Sequence, residues 1–119
     1  MTDLTAAQLE IAKAMTENQL QDNILAMALK LGWLCYHTRA AMNKRGVWSS
    51  PMQGNPGFFD VVLIRRGVVI LKELKSEKGK LTVQQQEWIK EYDPACPTPY
   101  DHVWRPHDWL SGEVEALLR

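Results

Sequence analysis

Cysteine is nearly missing from this sequence. Cys35 and Cys96 are the only two, and neither sits in the paired spacing that zinc sites use. A disulfide-stapled small fold is therefore not expected. Free thiols in a reducing cytoplasm are, with a Cys35–Cys96 bridge as the alternative. No apolar run approaches the roughly 20 residues of a membrane span, so no membrane partner is expected. Met1 to Glu10 lacks the basic and apolar segments of a secretory signal, which again points to the cytoplasm. Repeats and low-complexity tracts are absent too. Seven Gly and six Pro in 119 residues are too few for a linker-like chain, and five Trp supply core material. That length supports one domain with a single core.

Net charge is the last absence: 14 basic residues balance 14 acids. The balance conceals a segregation. Between Arg39 and Lys80 lie nine basic residues and three acids, so this stretch carries +6 and the remainder −6. Such a division suggests a basic functional face on an acidic body, although charge clusters also occur as plain solvated surface.

The stretch that organises the chain is Phe58 to Lys80. Two β-branched runs, Val61 to Ile64 and Val68 to Leu71, flank Arg66-Gly67 and read as a β-hairpin. A two-residue turn makes pairing symmetric about the Arg66–Gly67 bond and puts Asp60 opposite Glu73. Opposed residues share a face with Cβ atoms about 5 Å apart, and Lys75 points to the same face. Two carboxylates so close repel unless a cation lies between them, and a hard divalent ion with oxygen ligands suits that place. A three-residue loop with a bulge would shift the register by one. The same residues also fit an ordinary surface charge ladder.

Around the hairpin, Thr5-Ala6-Ala7-Gln8 and Thr16-Glu17-Asn18-Gln19 fit capping boxes. They predict helices over about 6–14 and 17–31, the second buried through Leu20, Ile24, Met27, Ala28 and Leu31 and ended by Gly32. Glu17 borders that buried face; an acid in a first helical turn is also favoured by the helix dipole alone. Residues Trp33 to Thr38 read as a strand, with His37 near its end as either a phosphate contact or an edge histidine. The connection from Arg39 to Pro56 is long enough to be functional or disordered. Its Arg39, Lys44, Arg45 and Trp48 suit a nucleic-acid backbone and an unstacked base. Gly54 and Gly57 would let a phosphate approach closely. After the hairpin come Lys78 and Lys80 in a polar turn. Thr82-Val83-Gln84-Gln85 then caps a helix to about Tyr92, giving Gln85 a structural job as the N3 residue. A proline-rich loop (Asp93 to Pro99), a strand (Tyr100 to Trp104) and a helix (Pro106 to Leu118) complete the chain. The predicted fold is α/β of the α+β kind, a small mixed β-sheet flanked by helices.

Taken in order, these parts resemble the VRR-NUC (virus-type replication–repair) nucleases of the PD-(D/E)xK superfamily. The resemblance runs from about Thr16 to Trp109: Glu17 and Gln21, Gly32-Trp33 into Tyr36-His37, and Gly57-Phe58-Phe59-Asp60. Then follow Glu73-Leu74-Lys75, Gly79-Lys80-Leu81-Thr82, Gln85, Trp88 and Val103-Trp104-Arg105-Pro106. One departure is Phe59, where the family motif usually has proline, a residue that shapes the strand entry and supplies no ligand.

The resemblance implies a restriction-endonuclease-like core over residues 16–119, preceded by a helical extension (1–15) that either caps the core or assists dimerisation. It implies Asp60, Glu73 and Glu17 as acidic metal-site residues with the Leu74 carbonyl as a further ligand. Lys75 would steer the attacking water and Gln85 would support the site. One or two Mg²⁺, with Mn²⁺ as substitute, are the implied cofactors. The implied activity is hydrolysis of branched or duplex DNA, in the manner of a Holliday-junction resolvase acting as a homodimer in a bacterial or phage-infected cell. Flap, nicking or restriction activity is the alternative, as is a non-catalytic DNA-structure-binding module.

Overall fold

The computed structural model describes residues 3–37, 41–42, 45, 48–49 and 53–119. The chain opens with helices α1 (Ala6–Ala14) and α2 (Glu17–Lys30), each started by the expected box. At the second, Thr16 Oγ1 accepts from Gln19 N at 3.1 Å while Gln19 Oε1 accepts from Thr16 N at 2.9 Å. Such caps satisfy backbone N–H groups that a helix start leaves without partners, and each is worth about 1 kcal/mol. α2 ends in a Schellman motif. Gly32 takes a φ of 86°, its N–H donates to Leu29 O, and Trp33 N–H donates to Ala28 O.

Strand β1 (Leu34–His37) follows, then a two-stranded ribbon of β2 (Ala41–Met42) and β3 (Trp48–Ser49) within the connection read as structureless. Next come β4 (Val61–Arg65), β5 (Val68–Leu74), α3 (Val83–Tyr92) and β6 (Val103–Trp104). The main sheet has the order β1-β4-β5-β6. Its first three strands are antiparallel, and β6 runs parallel to β5. This is a mixed α+β fold with a small sheet flanked by helices, as the sequence predicts.

Two apolar clusters hold it. Leu20, Ile24 and Ala28 of α2 meet Val61, Leu63, Ile70, Leu74 and Trp104 of the sheet in one. Phe59, Leu81, Ile89 and Val103 form the other. Full burial of one such large side chain contributes about 1.5–3 kcal/mol. Met27 and Leu31, expected in the buried stripe of α2, are only partly buried and pack against the first cluster. α1 lies against α4 (Pro106–Leu110).

Two expected elements are corrected. The C-terminal helix is two helices, α4 and α5 (Glu113–Leu118), because Gly112 takes a φ of 87° that halts an α-helix. The last strand is only Val103–Trp104. The preceding Pro99–His102 winds into a 3-10 turn, with proline at its start and Thr98 Oγ1 accepting from Tyr100 N at 3.2 Å. Among the described residues, no helix is long and apolar enough to cross a membrane. Both cysteines are free thiols.

Candidate functional site

The hairpin register is the one a two-residue turn dictates. Val61 pairs with Lys72, Leu63 with Ile70 and Arg65 with Val68. Arg66 (φ 48°) and Gly67 (φ 83°) both take positive φ, the signature of a type I′ turn, which matches the right-handed twist of the strands it joins. The bulged alternative is thereby excluded. One residue beyond the paired ladder, Asp60 and Glu73 come together. Asp60 Oδ2 accepts from Leu74 N at 2.8 Å, and the Asp60 carboxyl is close enough to Glu73 to act on its charge.

Glu73 is completely buried, at 0% exposure. Its Oε2 accepts from Gln85 Nε2 at 3.2 Å. Its Oε1 has no hydrogen-bond partner, the one such buried side-chain atom among the described residues. Burial pushes the Glu73 pKa up to about 9; the Asp60 charge and contact add to the rise, Lys75 opposes it, and Glu17 adds further. A carboxyl in this setting must hold a proton or be met by a cation, since an unpaired buried charge is very costly.

The other expected residues surround this pair. Lys75 is partly buried, and its charge lowers the pKa of both Glu73 and Glu17. Glu17 is exposed at the first position of α2. Partial desolvation raises its pKa, Lys75 works against this and Asp60 adds to it. It is within electrostatic reach, yet Glu17, Asp60 and Glu73 do not bring three ligand atoms within 4.8 Å of one another. Gln85 fills its structural job as the N3 residue, its Oε1 accepting from Thr82 N at 3.0 Å in the capping box, and its Nε2 donates to Glu73. Leu74, between Glu73 and Lys75, is buried with its N–H on Asp60.

Several residues position the site through contacts that the sequence alone does not show. Phe59, at 1% exposure, anchors the segment entering Asp60. Its ring meets Tyr92 edge-on at 5.5 Å, and Phe58 meets Trp88 at 5.0 Å. Trp88 Nε1 also donates to Pro56 O at 2.9 Å. Gly57 does not leave space for a phosphate, as the sequence reading held. It takes a φ of 94°, and a Cβ there would lie 2.7 Å from Gln84, so the missing side chain admits the start of α3. Arg105 Nη1 donates to Ser76 O at 2.6 Å and Glu77 O at 3.1 Å, and His107 N donates to Glu77 Oε1 at 2.6 Å. These bonds pin the turn that follows Lys75. Their partners lie nearly 30 positions apart, beyond the reach of spacing arguments.

The expected DNA contacts are placed unevenly. His37 is exposed at the end of β1, with Val61 as its strand partner next to Asp60. Lys78 and Lys80 are exposed in the turn after β5. Arg45 is exposed and Trp48 belongs to β3, whereas Arg39 and Lys44 lie outside the described residues. The one group of three metal-ligating side chains whose ligand atoms all lie within 4.8 Å, among the described residues, is elsewhere: Asp93, Cys96 and His102. Comparison with protein-family models, curated proteins and solved structures gives no match to this chain.

Proposed function

We propose that this chain is a metal-dependent endodeoxyribonuclease of the VRR-NUC type, cutting branched DNA in the manner of a Holliday-junction resolvase and acting as a homodimer. The observation that carries the reading is the fully buried Glu73 carboxyl, one oxygen without a donor, pressed against Asp60 beside Lys75. An all-oxygen donor set of this kind fits a hard ion such as Mg²⁺, with Mn²⁺ as substitute. Asp60 and Glu73 would hold the ion, joined by the Leu74 carbonyl, with Glu17 supporting from α2.

When bound, the ion supplies Lewis acidity: water becomes a nucleophile at neutral pH and charge on the phosphate oxygens is offset. The chain's own groups do the rest. Glu73 would hold the ion as a carboxylate, its proton passing to solvent, and Gln85, donating to Glu73 Oε2, would keep the carboxyl from rotating. Leu74 N–H fixes Asp60 Oδ2. The Lys75 ammonium steers the water in line and offsets charge that develops on the phosphate. Exposed His37, Lys78 and Lys80 would contact the DNA backbone, together with Arg39, Lys44, Arg45 and Trp48 of the long connection.

The test is cleavage of a synthetic four-way junction beside flap, duplex and single-stranded DNA, with Mg²⁺, Mn²⁺ or EDTA. Junction cutting in either metal, stopped by EDTA and by Lys75→Ala, supports the reading. Junction binding without cutting in any metal points instead to a DNA-structure-binding module.

A further inference from the structure

A second group of ligands sits at the other end of α3, apart from the acidic pair and unused by the proposed chemistry. Asp93 caps the helix, Cys96 follows in the proline-rich loop, and His102 ends the 3-10 turn. The carboxylate, thiol and imidazole ligand atoms all lie within 4.8 Å of one another, and each residue is partly exposed. His102 Nε2 is already 2.8 Å from Asp93 Oδ2.

We infer that Asp93, Cys96 and His102 form a binding site for a borderline-soft divalent ion of the zinc class. Ligand atoms about 2.0–2.3 Å from a tetrahedral ion stand about 3.3–3.8 Å apart. Closing the present cluster onto an ion therefore takes side-chain shifts of about 1 Å. The Asp93–His102 hydrogen bond opens to admit the ion, Cys96 binds as thiolate after losing its proton to solvent, and water takes the fourth position. Sulfur and imidazole ligands select this class over Mg²⁺, which prefers oxygen. Partial exposure of all three gives the ion a path from solvent.

The site ties the fold together at a sensitive place. It joins the end of α3 to His102, and the next residue, Val103, is the strand partner of Glu73. Cys96 also packs against the cluster of Phe59, Ile89 and Val103. The ion would be a structural clamp, raising thermal stability without touching DNA.

Cobalt(II) is the probe, titrated into the metal-stripped chain. The expected result is one tightly bound ion per chain with a thiolate-to-cobalt charge-transfer band in the near ultraviolet, unmoved by excess Mg²⁺ and lost on adding Zn²⁺. Cys96→Ser removes the band. His102→Gln, which keeps the thiol, weakens Co²⁺ binding by more than about 100-fold, the upper end of the loss from removing a group merely behind a ligand. Glu73→Gln and Cys35→Ser keep the band, so this site is separable from the proposed nuclease centre. Zn²⁺ raises the Tm of the parent chain and of Glu73→Gln, but not of Cys96→Ser. Absence of the band in the parent chain, its survival in Cys96→Ser, or its loss in Cys35→Ser overturns the proposal.

Discussion

The two ends of α3 hold contrasting groups of polar side chains. At the N-terminal end, Gln85 reaches Glu73, whose carboxyl is sealed from solvent, short of one hydrogen bond and pushed up to a pKa of about 9. At the C-terminal end, Asp93 pairs with His102 at 2.8 Å beside Cys96, in partial contact with water. The first group is under electrostatic tension and all oxygen; the second is nearly satisfied and chemically mixed. A buried carboxyl with an unmet oxygen costs stability, and such groups concentrate at functional sites, which is why the proposed function rests on this pair. Closeness of ligand atoms alone, as at the second, needs no catalytic explanation. Val103, the strand partner of Glu73, directly follows His102, the partner of Asp93, yet the predicted behaviours of the two groups differ sharply.

The largest expected difference is in activity. Asp60→Ala lowers Mg²⁺-dependent junction cleavage by more than about 100-fold, whereas Cys96→Ser leaves its rate within about a factor of three in Mg²⁺. Gel-resolved single-turnover rates on a labelled junction measure both, and equal losses would erase the distinction between the two ends.

The next largest effect is on stability. Phe59→Ala empties the centre of the aromatic stack that leads into Asp60, and costs about 3–5 kcal/mol in denaturant unfolding. Phe59→Pro, which restores the residue usual in the resembled family, also destabilises, since proline fills little of the space against Tyr92. A stable Phe59→Pro chain would show that α3 does not rely on this anchor.

A third contrast is pH dependence. In EDTA, Glu73 holds its proton more tightly when folded (pKa about 9) than at its ordinary value of 4.5. The folded state then binds more protons than the unfolded one between those values, so stability present below about 4.5 is lost as pH rises through about 9. Tm in EDTA should fall across this window and Glu73→Gln should flatten the slope. Mg²⁺ should offset the loss by replacing the proton, while a slope unchanged in Glu73→Gln would assign the titration elsewhere.

The smallest effect is at the cap. Thr82→Ala costs about 1 kcal/mol: it removes the Oγ1 that accepts from Gln85 N–H at 3.1 Å, which loosens the helix start that carries Gln85 and weakens Mg²⁺ binding without abolishing it. A calorimetric Mg²⁺ titration of this variant checks both halves of that expectation.

How much of this was legible in the sequence follows from how local each cause is. The hairpin register was readable because Arg66-Gly67 sets it within two residues. The three capping boxes were readable because Thr and Gln stand three apart. Asp60 opposite Glu73 follows from the turn alone. The burial of Glu73 was not readable, since it depends on α3 closing over the sheet. Gly57 was misread because only the fold brings Gln84 against it. Arg105 and His107 donate to Glu77 across chain separations of 28 and 30 residues. Gly112, whose positive φ stops α4, lies inside the span read as one helix from Pro106 to Leu118. The Asp93, Cys96 and His102 group escaped because a 3-10 turn, invisible in the spacing, folds His102 back onto Asp93.

The most direct test of the acidic pair is a calorimetric titration of Mg²⁺ into the metal-free chain, into Glu73→Gln and into Cys96→Ser, repeated in buffers of different ionisation heat. Binding with proton release in the parent chain, lost in Glu73→Gln and retained in Cys96→Ser, is the predicted result. Mg²⁺ binding of equal strength in Glu73→Gln, or none in the parent chain, would contradict it.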